Sequence, residues 1–112
     1  MKYPSFVCAV TLGVSTLVFS ANALAQDLKG SAAAGKNKAA MCIGCHGIPG
    51  YRASFPSTYN VPMIAGQHAK YLENALIAYQ KGERKHPTMK AIAASLSAQD
   101  IADLAAYYAV LK

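Results

Sequence analysis

Residues 42–46 read Cys-Ile-Gly-Cys-His, and this pentapeptide constrains the chain more than any other feature. Two thiols three residues apart, with a histidine directly after the second, have the spacing of a covalent c-type haem attachment site. Each thiol adds its S–H across one vinyl group of the porphyrin, and one turn of chain reaches both vinyls. Cys42 and His46 are four apart, so a helical turn sets them on one side. His46 then offers an imidazole nitrogen to the iron. A bare Cys-x-x-Cys also fits a zinc half-site or a thioredoxin-like redox pair. Zinc needs four ligands, and no second Cys/His pair at ligand spacing exists in this sequence. A redox pair sits in a βαβ context, and no strand alternation is evident here.

The third cysteine, Cys8, falls in a segment with the marks of an export signal. Lys2 supplies a positive start, Phe6 to Phe19 is an apolar stretch of 14 residues, and Ala23-Leu24-Ala25 is an A-x-A cleavage signal. A bilayer span takes about 20 apolar residues, so the run is short for an anchor. No small-residue lipobox precedes Cys8, which argues against a lipoprotein. The reading predicts a cleaved signal peptide over 1–25 and one domain over 26–112, exported to the periplasm, as in a Gram-negative bacterium. Cleavage would remove Cys8 and leave Cys42 and Cys45 as the only cysteines, both committed to thioethers. Export and haem agree, because c-type haem is attached outside the cytoplasm.

A chain of 87 residues after cleavage supports a single domain. A core that small is thermodynamically marginal by itself, and a large flat apolar cofactor would supply much of the missing buried surface. One attachment motif and no internal repeat imply one haem. The full chain carries a formal net charge of +6, and loss of Lys2 lowers it to +5. Two haem propionates would bring it to about +3, still basic. Export and the lack of any nucleic-acid motif argue against nucleic acid as the partner of that charge. An acidic protein surface or an anionic membrane face fits better. No catalytic triad, paired carboxylates or nucleotide-binding glycines are evident, so the chain reads as a non-enzyme.

The pattern predicts an all-α domain. Alanine-rich Ser31 to Met41 reads as a helix running into Cys42, with Asp27 or Ser31 as its cap. Gly35 inside it lets another helix approach closely. Gly47 to Pro62 holds Gly47, Pro49, Gly50, Pro56, Asn60 and Pro62 and reads as loop throughout, wrapped round the haem edge. Gly66 to Lys81 is an amphipathic helix with Tyr71, Leu72, Ala75, Leu76 and Tyr79 on one face, and Gly82 is its stop. A last helix starts at Ser97, with Asp100 at the capping-box position and Leu96 placed to staple onto Ile101. Ile101, Leu104, Ala105, Tyr108 and Leu111 form its apolar stripe. No strand is expected.

His46 fills one axial position of the iron, and the other decides the chemistry. Methionine there raises the reduction potential and closes the iron to substrates, whereas a second histidine lowers it. The candidates are Met41, Met63, Met89, His68 and His86. Met41 directly precedes the attachment turn and belongs on the wrong side of the ring. His68 and His86 have polar surroundings and read as surface residues, with His86 the better placed as an axial alternative. Either Met63 or Met89 reaches the far face, since even the shorter connection spans about 55 Å when extended. Spacing leaves Met63, Met89 and His86 open.

At this point the chain resembles the small monohaem bacterial class I c-type cytochromes. The resemblance rests on the alanine-rich helix into Cys42-Ile-Gly-Cys-His46-Gly47, on Pro62-Met63-Ile64-Ala65-Gly66-Gln67, and on Tyr71-Leu72 and Tyr79-Gln80-Lys81-Gly82. Met89 and the run from Leu96-Ser97-Ala98-Gln99-Asp100-Ile101 to Tyr108 complete it. It implies the class I cytochrome c fold, three to five helices wrapped around one covalently bound haem. It implies Met89 as the distal ligand and the Pro62 carbonyl as acceptor of a hydrogen bond from the His46 ring. It implies that the first and last helices cross where Gly35 or Ala34 meets Tyr107 or Tyr108. The segment between His46 and Pro62, with Tyr51, Arg52, Phe55 and Tyr59, is longer and more aromatic than is usual in that family.

The function so implied is one-electron transfer through a His46/Met89-ligated haem c attached at Cys42 and Cys45. The partners would be redox proteins such as a quinol–cytochrome c reductase, a terminal oxidase or a periplasmic dehydrogenase. Lys81, Arg84, Lys85 and Lys90 cluster around the stretch with Met89, which reads as a loop, and would form a cationic docking face there, unless they are simply an ordinary solvated loop. The alternatives are a dedicated cytochrome c subunit of a periplasmic dehydrogenase or sulfur-oxidising enzyme complex, and a haem sensor or peroxidatic protein with a labile distal site.

Overall fold

A computed structural model describes residues 28–55 and 57–112. The expected leader, residues 1–25, and the alternative cap Asp27 lie outside the described residues. Five helices follow one another: α1 (Ala32–Lys38), α2 (Ala40–His46), α3 (Ala69–Lys81), α4 (Pro87–Ala94) and α5 (Ala98–Val110). Between α2 and α3 the chain makes a small antiparallel pair, β1 (Arg52–Ala53) with β2 (Tyr59–Asn60), in the register Arg52↔Asn60 and Ala53↔Tyr59.

Ser31 caps α1, its hydroxyl accepting from the Ala34 N–H at 3.3 Å. The single helix expected from Ser31 into Cys42 is instead broken at Ala39. There the N–H turns back to the Lys36 carbonyl at 3.4 Å, a tightened last turn, and α2 starts afresh. Neither proline nor glycine marks this break; Ala39 is buried in the core against α5. His68 rather than Gly66 begins α3, and Gly66 takes a left-handed φ of 76° just before it. At the other end Gly82 has φ 77°, and the N–H groups of Gly82 and Glu83 both return to the last turn. Ser97 and Asp100 form the complete capping box of α5, with the Ser97 N–H donating to Asp100 Oδ2 at 2.9 Å.

Two expectations need correction. The segment from Gly47 to Pro62 is not loop throughout, because β1 and β2 fold it into a hairpin and the Val61 N–H bonds to the Tyr51 carbonyl at 2.9 Å. The stretch around Met89 is not a loop but a helix. Pro87 occupies the first turn of α4, where its missing N–H costs nothing, and the His86 ring accepts from the Met89 N–H at 3.4 Å as a cap. Gln80 holds the far end of α4, donating from Nε2 to the carbonyls of Ala93 and Leu96, each at 2.8 Å.

The crossing of α1 on α5 brings the two backbones into direct contact. Gly35 is buried there against the Asp103 backbone, and a Cβ at position 35 would sit 2.6 Å from the Tyr107 Cβ and nearer still to the Asp103 carbonyl oxygen. Of the pairings the resemblance allowed, the one formed is Gly35 with Tyr107. The same crossing carries a buried charge. Asp103 is 2% exposed and accepts from the Ser31 N–H at 2.8 Å, Lys38 Nζ at 2.6 Å and Gln99 Nε2 at 2.9 Å. Lys38 also reaches Asp100 Oδ1 at 2.7 Å, so one ammonium joins α1 to two carboxylates of α5. Lys38 first, then the Ser31 amide and Gln99, hold the Asp103 carboxyl down at about 2.

Two outcomes follow. Gly35→Ala gains about 1 kcal/mol of helix propensity, but overpacking against unyielding backbone costs about 1–3 kcal/mol or more. A net loss is expected, read as a lower midpoint in thermal unfolding; an unchanged or higher midpoint would show that α1 and α5 can simply part. An unfolded aspartate titrates near pH 3.9 or about 4, so the Asp103 contribution is fully present above roughly pH 4 and lost as pH falls through about 2. Asp103→Asn should therefore make stability less steep in pH across that interval. Melts of the variant that remain as acid-steep as those of the parent protein contradict this role.

Candidate functional site

One cavity of about 370 Å³ gathers almost every residue to which the sequence pointed. Cys42, Cys45 and His46 line it from α2, Pro62 to Ile64 from the connection, Leu72, Ala75 and Leu76 from α3, and Met89 and Ile92 from α4. Leu104 and Tyr108 close it from α5, while Tyr51, Phe55 and Tyr59 border it from the hairpin. The domain's own core is correspondingly thin. The buried apolar residues are Ala39, Leu72, Ala93, Ile101, Ala102, Leu104, Ala105 and Tyr108, so half are alanines while several larger side chains face the cavity.

Cys42 and Cys45 are free, half-buried thiols one helical turn apart, with His46 next to the second. Burial, and then the neighbouring Cys45, push the Cys42 thiol up from its ordinary range, which keeps it protonated near neutrality. The His46 ring is oriented from a distant part of the chain. Its Nδ1 lies 2.7 Å from the Pro62 carbonyl oxygen. A carbonyl only accepts, so the neutral ring carries its proton on Nδ1 and leaves the Nε2 lone pair free for a metal. Pro62 is itself held in place nearby, because the Gly66 N–H donates to the Tyr108 carbonyl at 2.8 Å and ties this segment to α5.

The distal candidates separate by position. Met63 directly follows Pro62, whose carbonyl meets the His46 ring; it lines the cavity and is 49% exposed. Met89 is half-buried on the first turn of α4. α2 and α4 both line the cavity yet do not pack against one another, so the space between them separates His46 from Met89. Met41 also borders the cavity but is more than half exposed. His68 is exposed at the start of α3, as expected. His86 is not a plain surface residue: it is half-buried, lines the cavity and faces the Tyr59 ring at 5.0 Å between centroids. That contact joins the hairpin to α4.

Two features of the wall escaped the sequence. The Tyr108 hydroxyl is buried with no hydrogen-bond partner, and burial above all pushes its pKa up to about 12. Arg84 belongs to the cavity as well as to the surface, its guanidinium lying 4.9 Å from the centroid of the Tyr79 ring. Tyrosine on an apolar helix stripe reads as core, and an arginine among lysines reads as surface; neither pattern shows where the side chain ends.

The residues fit a haem. Paired thiols, an imidazole with its second nitrogen free, a thioether donor across an apolar space and a buried hydroxyl lacking a partner suit a broad, flat, iron-bearing group. Among the described residues no group of three His, Cys, Asp or Glu side chains is arranged to hold a metal ion directly, so the zinc reading lacks its ligands.

A helical domain built around a cavity with this attachment turn defines a c-type haem protein. The family model for cytochrome c matches residues 32–111, and the chain belongs to the cytochrome c family. It is 44% identical over 82 residues to cytochrome c-554(548) of Halomonas halodenitrificans, covering 70% of this chain and 94% of that protein. It is 37% identical over 101 residues to a thiosulfate dehydrogenase electron acceptor of Thiomonas intermedia, covering 90% of this chain and 43% of that one. The crystal structure of reduced recombinant cytochrome c4 from Pseudomonas stutzeri superposes with a TM-score of 0.60 at 36% identity, over 74% of this chain and 46% of the other. The chain thus spans less than half the length of the last two. The fold is that of a class I cytochrome c, the cofactor is covalent haem c, and the family's work is electron transfer.

Proposed function

We propose that this protein is a periplasmic one-electron carrier whose single haem is attached at Cys42 and Cys45 and ligated by His46 and Met89. The observation that carries the reading is the pairing of His46 and Met89 on α2 and α4, two elements separated by the cavity they share. When bound, the haem supplies a one-electron iron couple between Fe(II) and Fe(III).

The chain's own residues do the rest. Cys42 and Cys45 fix the ring to α2. The Pro62 carbonyl accepts the Nδ1 proton of His46, so the ring cannot turn and its Nε2 stays basic. His86 caps α4 through the Met89 N–H and so holds Met89 at the cavity wall. That bond makes Nδ1 of His86 an acceptor and leaves the proton of the neutral ring on Nε2, which disfavours His86 as a ligand. Met63 is disfavoured because it is tied to Pro62, whose carbonyl is engaged with the His46 ring, and because it is exposed where Met89 is half-buried. Leu72, Leu76, Ile92 and Leu104 keep water from the ring and lower the local dielectric.

Exposed Lys81, Lys85 and Lys90 stand near α4, with Lys90 Nζ close to Gly82, and none forms an ion pair among the described residues. They suit an acidic redox partner such as a reductase, an oxidase or a dehydrogenase. Among the described residues no helix is long and apolar enough to cross a membrane. Periplasmic location rests on the sequence of residues 1–25. A second reading, service to one dedicated dehydrogenase, gains support from the likeness to the thiosulfate dehydrogenase electron acceptor.

Two outcomes test the ligand set. Mass spectrometry of the denatured protein should find one haem adduct on the parent chain and none on the Cys42→Ala/Cys45→Ala double variant; an adduct on the double variant sinks the attachment site. Met89→Ala should abolish the near-infrared sulfur-to-iron band and let the reduced protein bind carbon monoxide, whereas Met63→Ala should do neither. The reverse pattern would assign the ligand to Met63.

A further inference from the structure

We propose that Arg84 binds a carboxylate of the haem at the cavity wall and thereby raises the protein's reduction potential. The inference rests on the placement of the haem in this cavity and goes beyond it to the anionic end of the ring.

Among the described residues Arg84 is the one permanently cationic side chain that lines the cavity, and no aspartate or glutamate lines it at all. The cation is not waiting for a protein carboxylate. The ion pairs among the described residues involve only Lys38 and Lys70, and even the adjacent Glu83 does not engage it. Arg84 is exposed, but its guanidinium is held in place. It rests over the face of Tyr79 at 4.9 Å, a cation–π contact that holds it against the wall. The Tyr71 hydroxyl first, and Tyr79 with it, hold its pKa above the ordinary arginine value. Tyr71 and Tyr79 come from the cavity face of α3, so the same helix that shapes the apolar wall also aims the cation.

A guanidinium with no carboxylate partner at the edge of an apolar space matches a planar carboxylate in geometry as well as charge. Haem brings two carboxylates, its only strongly anionic peripheral groups. The neighbouring Tyr51, Tyr59, Tyr71 and Tyr79 also border the cavity and supply neutral donors around the same site. The electrostatic consequence follows in sign. Reduction adds one negative charge to the iron, and a cation held at the cavity wall favours that state. Lys81, Lys85 and Lys90 are equally basic but do not line the cavity, so they lack this leverage.

The test uses the purified holoprotein and its Arg84→Gln, Arg84→Lys and Lys85→Gln variants, each titrated potentiometrically between pH 5 and 8 or thereabouts. At the parent midpoint, Arg84→Gln should lower the ratio of reduced to oxidised protein about tenfold, equivalent to about 59 mV for one electron. It should also acquire a pH slope, because the released carboxylate then takes up a proton on reduction. Arg84→Lys should recover most of the potential, and Lys85→Gln should change the ratio less than about twofold. An unchanged midpoint and slope in Arg84→Gln, or an equal shift in Lys85→Gln, overturns the proposal. Absence of covalent haem from the parent protein overturns the underlying reading instead.

Discussion

The approach of α1 to α5 at Gly35 is the constraint on which the rest of the structure depends. With no Cβ at that position, the two backbones meet directly, and any larger residue there collides with Asp103 and Tyr107. Because α2 follows α1 after the single break at Ala39, the crossing also determines where Cys42, Cys45 and His46 stand. Lys38 and the buried Asp103 lock the same contact from its polar side. A short, alanine-rich helix has little cohesion of its own. The interface with α5 supplies it, and the attachment turn inherits a fixed position.

Around that crossing the described residues bury a small apolar core. Leu104 and Tyr108 belong to a core in which half of the buried apolar residues are alanines, while Leu76, Ile92 and Met89 line the cavity. The cofactor belongs to the hydrophobic core as much as to the chemistry. A group that binds only the folded chain stabilises it by mass action, and a covalent one cannot dissociate. The family relation and the wall of the cavity agree on this point. Function and stability therefore draw on the same contacts, and the residues that exclude water from the ring also hold α3, α4 and α5 in register around it.

The parts legible in the sequence were those with local causes. Ser97 and Asp100 announce α5 because a capping box needs only residues four positions wide. Gly82 announces the end of α3 because only glycine enters the left-handed region at no steric cost. α4 was equally local in principle. His86-Pro87 is a cap followed by a proline in the first turn, but the short apolar pattern after it was overshadowed by reading the segment as a ligand loop. The break at Ala39 had no such signal. It arises where a buried alanine must meet α5 at one particular depth, and nothing in an alanine run says which residue that is. The hairpin was hidden because its two strands are two residues each, too short for alternation to show.

By itself the sequence determined the attachment chemistry, since two thiols and an imidazole within one helical turn owe their geometry to covalent spacing alone. It also determined the capped last helix and the family resemblance, and it offered Gly35 or Ala34 as the crossing residue, between which the structure chose Gly35. Only the tertiary structure decided which distant groups attend that turn. The Pro62 carbonyl reaches the His46 ring across 16 positions. Met89 takes its place on α4, apart from α2 across the cavity, and Arg84 comes to rest over Tyr79 at the wall. These placements depend on how α3 and α4 dock after a long connection. Chain length limits such a reach but does not direct it, because a flexible segment can bring its far end to many points, and packing selects one.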